Sequence, residues 1–88
     1  MDAGKRQEEE FIHLIRLAWD LRRRGLGTAV ELAPRKEPVL LVPRPSGSLR
    51  VMALRRKGVW FFTWGRGESR RVRALADDAA DHIWGAAQ

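Results

Sequence analysis

Apolar side chains near the start of the chain recur at spacings of three and four residues, which predicts an amphipathic helix over residues 5–24. One face of this helix carries Phe11, Leu14, Ile15, Ala18 and Leu21. The apolar arc is widened to more than half of the circumference by Ile12, Leu17 and Trp19. A surface helix needs an apolar stripe only about 100° wide. Either the monomer covers this helix from two sides, or part of its face is a subunit interface.

An alternating pattern replaces the helical one after Gly27. It predicts four strands, at residues 28–33, 39–42, 49–54 and 59–64. Proline and glycine mark polar turns at 34–38 and 55–58 and a less ordered loop at 43–48. Because such short connections cannot join parallel strands, we expect an antiparallel meander.

The final apolar pattern predicts a second helix that begins near residues 72–74. Leu75, Ala79 and Ile83 share one face of it, whereas three aspartates share the opposite side: Asp77, Asp78 and Asp81. The pattern leaves open whether residues 68–72 lead into this helix or form a fifth edge strand.

These elements predict an α+β fold of the order α-β-β-β-β-α. Both helices would lie on one face of a four-stranded antiparallel meander, giving a two-layer sandwich. With 88 residues, the chain is expected to form a single domain over residues 1–88, frayed at 1–6 and 86–88. A domain this small buries a modest core, which makes self-association an expectation.

The composition removes several classes of site. The chain has no cysteine, which excludes disulfides, thiolate metal sites and cysteine nucleophiles. Asp78 and His82 stand at a two-ligand spacing, but nothing nearby completes a metal or catalytic set, so a solvated acidic face is the better interpretation. We expect no catalytic residues, no metal and no cofactor, and therefore no enzyme. A polar start and the lack of a long apolar run predict a cytoplasmic protein without membrane contact.

Charge is distributed unevenly along the chain. The net charge is +6, but residues 27–73 carry eleven basic and three acidic side chains, whereas the last fifteen residues carry three aspartates and no basic residue. A basic middle region favours nucleic acid or another polyanion as a partner. An acidic second helix would neutralise part of it.

The aromatic strand at 59–64 is the most unusual segment. Alternation places Trp60, Phe62 and Trp64 on one face and Val59, Phe61 and Thr63 on the other. If the tryptophan face were free of helices, it would form a platform for stacking bases. The interpretation we favour makes it the core, with Phe61 at the margin or in a dimer contact.

Two sets of candidate residues follow. The candidate dimer contacts are Ile12, Trp19 and Phe61. The candidate nucleic-acid or polyanion contacts are Arg50, Arg55, Arg56, Lys57, Trp60, Trp64, Arg66, Arg70, Arg71 and Arg73.

Residues 60–67 (WFFTWGRG) and 71–83 (RVRALADDAADHI) resemble a family of short, uncharacterised actinobacterial proteins. That family carries the motif W-x-T-W-G-R-G followed by R-V-x-A-L-A-D-D-A-A-D. Its association with helix-turn-helix regulators implies a regulatory or accessory role, with no functional residue to carry over. Double-stranded RNA-binding domains offer a likeness of topology alone, and the acidic second helix counts against it.

The first hypothesis is a small non-enzymatic interaction or regulatory protein. It would be homodimeric, with itself and another protein as partners. The alternative is a nucleic-acid-binding protein that uses a basic sheet edge with aromatic stacking residues.

Overall fold

A computed structural model describes residues 2–34, 36–65 and 70–88, and the side chains of these from Gly4 onward. Within these ranges the elements are α1 (Asp2–Arg23), β1 (Ala29–Glu31), β2 (Val39–Arg44), β3 (Gly47–Arg56), β4 (Val59–Trp64), β5 (Arg70–Arg73) and α2 (Ala79–Ala86). The strands form one open antiparallel sheet in the order β1-β2-β3-β4-β5. The α+β class and the antiparallel meander are confirmed, but the expected number of four strands is wrong. The single domain and the frayed ends stay predictions.

The fifth strand resolves the ambiguity after β4. β5 pairs with β4 in the register Phe62↔Val72 and Thr63↔Arg71, while Glu68 and Ser69 lie outside the described residues. The predicted helix start at 72–74 is therefore wrong. The backbone there belongs to the sheet, since the Ala74 N–H donates to the Trp60 carbonyl at 2.9 Å. Turns occupy 74–78, and α2 begins only at Ala79.

The proline-rich loop expected at 43–48 is instead a hairpin. Pro43 pairs with Ser48, and Arg44 pairs with Gly47, so the turn itself is only Pro45 and Ser46. The next turn is equally short. Lys57 and Gly58 both have positive φ, 51° and 78°, which is the geometry that matches the twist of two-residue hairpins.

The core lies between one face of the sheet and both helices. Fully or nearly fully buried side chains come from α1 (Leu14, Leu17, Leu21), from α2 (Ala79, Ala80, Ile83) and from alternate positions of the central strands (Leu40, Val42, Leu49, Val51, Ala53, Phe62). Because successive strand residues point to opposite faces, this set fixes which face of every strand meets the helices. The other face of the sheet carries no described helix.

One ionisable group lies inside this packing. Glu10 of α1 is only 3% exposed, and its Oε1 has no hydrogen-bond partner among the described residues. Burial raises the pKa of Glu10 above its ordinary value, and the neighbouring Glu37 raises it further, against a smaller opposing effect of Arg6. Ionised Glu10 is therefore a destabilising group.

Glu10→Gln should stabilise the fold at neutral pH. The raised pKa means that the wild-type protein loses stability as the pH rises above the unfolded-state pKa, near 4.3. The variant should be the more stable protein at pH 7, because it removes a charge from a buried position that disfavours the charged form. That gain should shrink as the pH falls and vanish near about pH 3, where Glu10 is protonated in both states. Thermal unfolding followed by circular dichroism at both pH values measures it.

The matched control is Glu9→Gln, which removes the same charge from a neighbouring, less buried position. Equal effects of the two substitutions at pH 7 would show that net charge, rather than burial of Glu10, sets the difference.

Candidate interaction surfaces

The aromatic strand places its tryptophans under the helices. Phe62 is a core residue, and Trp60 and Trp64 pack against the core while staying partly exposed. His13 of α1 lies on Trp60, with 4.8 Å between the ring centroids and 38° between the ring planes. Burial lowers the pKa of His13, and Arg16 lowers it further, against a smaller effect of Glu9. The helix-free tryptophan platform required for base stacking is therefore not present.

Phe61 lies on the opposite, helix-free face of the sheet. The Arg71 guanidinium carbon lies 5.3 Å from the Phe61 ring centroid, within the range of a cation–π contact. Thr63 on the same face is 2% exposed, and its hydroxyl oxygen has no partner among the described residues. Phe61 thus belongs to a surface separated by the sheet from the outward side of α1. The three candidate dimer residues are not brought together.

The outward side of α1 carries an aligned apolar strip. Ile12 is 48% exposed and Trp19 is 61% exposed, with half-buried Ile15 between them. Spacings of four and three residues place these apolar side chains in one line along the helix. Exposed Glu8 continues the line at one end and exposed Arg22 at the other. The five residues of this line are termed the α1 stripe: Glu8, Ile12, Ile15, Trp19 and Arg22.

An arginine over the Trp19 ring and a shallow groove mark the surface around the α1 stripe. The Arg22 guanidinium carbon lies 5.7 Å from the Trp19 ring centroid. A shallow groove of about 390 Å³ runs between α1 and the segment before β1, lined by Ile15, Ala18, Trp19, Arg22, Gly27 and Thr28. Trp19 is thus an exposed indole beside a groove, with a cation near its ring.

A second groove opens at one end of the sheet. It measures about 780 Å³ and is termed the basic groove; its lining residues are Arg44, Ser48, Leu49, Arg50, Trp64, Gly65, Arg70, His82 and Ala86. None of these is acidic. Arg50 contacts Glu31 at 3.3 Å, and His82 contacts Asp78 at 3.1 Å. Within the described residues, Arg44 and Arg70 form no salt bridge.

The structure divides the candidate polyanion residues into separate places. Three of them line the basic groove: Arg50, Trp64 and Arg70. Others lie at or near the β3–β4 hairpin, at the opposite end of β4: Arg55, Arg56, Lys57 and Arg73. Arg71 lies on the helix-free face, Trp60 lies under α1, and Arg66 is outside the described residues. Within β5, Arg73 lies opposite Phe61 and nearest the hairpin, whereas Arg70 lies opposite Trp64 at the far end of β4.

Sequence reasoning missed Arg44 and His82 as groove residues. Arg44 was part of the segment read as a loop, and only the hairpin register brings it to the groove. His82 reaches the groove from α2, on a helix whose length and start were both misjudged. The proline-flanked Arg44 gave no signal of its own, because the prolines alone suggested irregular structure.

Two further charged pairs lie within the fold. The Arg24 Nε lies 2.9 Å from Asp81 Oδ1 and ties α1 to α2, and a second nitrogen of Arg24 donates to the Asp20 carbonyl at 2.9 Å. Asp78 and His82 pair with each other at an exposed site. No group of three or more metal-ligating side chains occurs in the described part of the chain.

Comparison with known proteins gives no relative. No protein-family model, no curated protein and no solved structure matches the chain. Among the described helices, none has the length and apolar character needed to cross a membrane. The assignment of function therefore rests on the chemistry of the α1 stripe and the basic groove.

Proposed function

We propose that this protein is a small, non-enzymatic interaction protein with a regulatory or accessory role that acts as a homodimer. The observation that carries the proposal is Trp19, an indole 61% exposed at one end of the apolar part of the α1 stripe. Single exposed apolar residues such as Leu32 are ordinary on protein surfaces. A tryptophan aligned with two isoleucines is different, because contiguous apolar patches mark interaction sites.

The chemistry of Trp19 suits an interface. Tryptophan buries roughly 150–250 Å² when covered, and tryptophan and arginine are enriched among the residues that dominate binding energy. Trp19 and Arg22 supply both side-chain types on adjacent turns of α1. The regulatory or accessory part of the proposal rests only on the expected resemblance of 60–67 and 71–83.

Trp19→Glu should convert the dimer to a monomer. The substitution places a charge within a surface that must become dry on association, where an unpaired charge is costly. Size-exclusion chromatography with light scattering, over a range of protein concentrations, reports the mass in solution. The dimer mass of the wild type should be replaced by the mass of one chain.

Leu75→Glu is the matched control, since Leu75 is even more exposed, at 70%, but lies outside the α1 stripe. It should leave the dimer intact. A wild-type protein that stays monomeric at every concentration would overturn the homodimer.

Nucleic-acid binding is the second candidate function, and the basic groove favours it. Three arginines and a histidine line the groove beside the partly exposed ring of Trp64, and none of its described lining residues is acidic. Phosphate contacts by arginine supply affinity, and an aromatic ring or guanidinium plane stacks an unpaired base. This combination suits a single strand better than a rigid duplex.

Arg44→Ala combined with Arg70→Ala should weaken the binding of a fluorescent single-stranded oligonucleotide. Each phosphate contact that is lost should reduce the slope of log affinity against log salt by roughly 1. Fluorescence anisotropy at several salt concentrations measures both quantities.

A double variant of equal charge, Arg55→Ala with Lys57→Ala, tests whether location matters. It removes two cations from the β3–β4 hairpin and should have the smaller effect. Equal losses from both variants would indicate unspecific attraction to a basic protein, and absence of salt-dependent binding in the wild type would remove nucleic acid as a ligand.

A further inference from the structure

The α1 stripe has the spacing of a coiled-coil seam. Its five members are separated by four, three, four and three residues, which is the repeat that keeps side chains facing a partner helix. Its three central members are apolar, while Glu8 and Arg22 are exposed ends of opposite charge. The α1 stripe therefore has an apolar centre and two ends that differ in the sign of their charge.

We propose that two copies of this chain pair through their α1 helices in antiparallel orientation, centred on Ile15, with Glu8 of each copy opposite Arg22 of the other. This inference rests on the proposed homodimer and specifies its geometry. Glu8 and Arg22 each lie seven residues from Ile15. An antiparallel two-fold axis at Ile15 therefore brings unlike charges together twice.

The parallel arrangement is electrostatically worse. A two-fold axis along the helices would set Glu8 against Glu8 and Arg22 against Arg22, and like charges at adjacent positions repel. Antiparallel pairing also brings the positive end of each helix dipole beside the negative end of the other. The charge pattern is thus complementary to a second copy in one orientation only.

The groove beside the stripe fits the same arrangement. With Ile15 at the axis, Ile12 of the second copy comes level with Ala18, since both lie three residues from the centre. Ala18 lines the groove of about 390 Å³, together with Gly27 and Thr28. A Cβ built on Gly27 would meet no atom within 4 Å, so this side of the groove is open to an incoming side chain. An isoleucine entering beside an alanine is a knob-into-hole contact.

The size of this contact predicts how the dimer behaves. A stable interface of standard size buries about 800 Å² on each partner. A single helix pair with four exposed turns offers less than that. The dimer should therefore dissociate on dilution, which places its dissociation constant within reach of analytical ultracentrifugation.

Charge reversal tests the orientation. Glu8→Arg or Arg22→Glu alone turns two attractive contacts of the antiparallel dimer into two repulsive ones, and should raise the dissociation constant about tenfold. The double variant, Glu8→Arg with Arg22→Glu, restores both pairs and should return the constant to the wild-type value. In a parallel dimer the single reversals would exchange one like-charge pair for another and change little. Both positions are exposed, so the fold should tolerate the changes, and circular dichroism checks this.

Disulfide trapping gives a second readout that does not depend on charge energetics. The chain has no cysteine of its own, so Glu8→Cys and Arg22→Cys each introduce a single thiol. When the two variants are mixed and oxidised, antiparallel pairing should give the mixed disulfide, identified by its mass. Disulfides joining two copies of the same variant would overturn the orientation.

The outcomes separate this inference from the homodimer itself. If both single-reversal variants dimerise as well as the wild type, or if the cysteine variants form only like-with-like disulfides, the antiparallel pairing is refuted while the homodimer stays in place. A wild-type monomer at every concentration would refute both.

Discussion

The fold depends on the coverage of one face of a five-stranded sheet by one long helix and one short one. Leu14, Leu17 and Leu21 of α1 are buried on this face, and the strict alternation of strands then assigns every other position. Phe62 enters the core because of this choice, and Phe61 is placed on the far side. Among the described residues, nothing covers Ile12 and Trp19 on the outward side of α1, so the excess apolar width of that helix becomes a surface.

How clearly apolar and polar residues alternate along a strand decides whether the sequence predicts which face of that strand meets the helices. β4 was located correctly at 59–64 because turn residues bound it, but both of its faces are apolar, so the side that meets the helices could not be assigned from Trp60 and Phe61. The sequence does not decide β5, because an edge strand with charged neighbours needs only one inward apolar residue, here Val72. The Ala-rich segment after it has helical spacing, yet its first residue, Ala74, bonds to the sheet.

The α1 stripe and the basic groove also differ in how far the sequence predicts them. Ile12 and Trp19 were recognisable from the sequence because an amphipathic helix has a fixed periodicity, and too wide an apolar arc is visible without tertiary structure. The basic groove was not recognisable as a unit. Arg44, Arg70 and His82 come from three different elements, and only the hairpin register and the placement of α2 bring them together. The number of arginines predicts a basic region of the chain, but not which of these side chains meet on the folded surface.

The α1 stripe and the basic groove share no residue, so occupation of one leaves the lining of the other unchanged. A two-fold dimer through α1 would therefore carry two basic grooves related by the same axis. If a single strand engages both, the second contact becomes intramolecular, and avidity exceeds the affinity of either groove provided that the strand spans them. Dimerisation and polyanion binding would then be linked, because a long strand favours the dimer by mass action whereas a short one does not. If both proposals hold, the two candidate functions are parts of one arrangement, in which α1 sets the spacing between grooves.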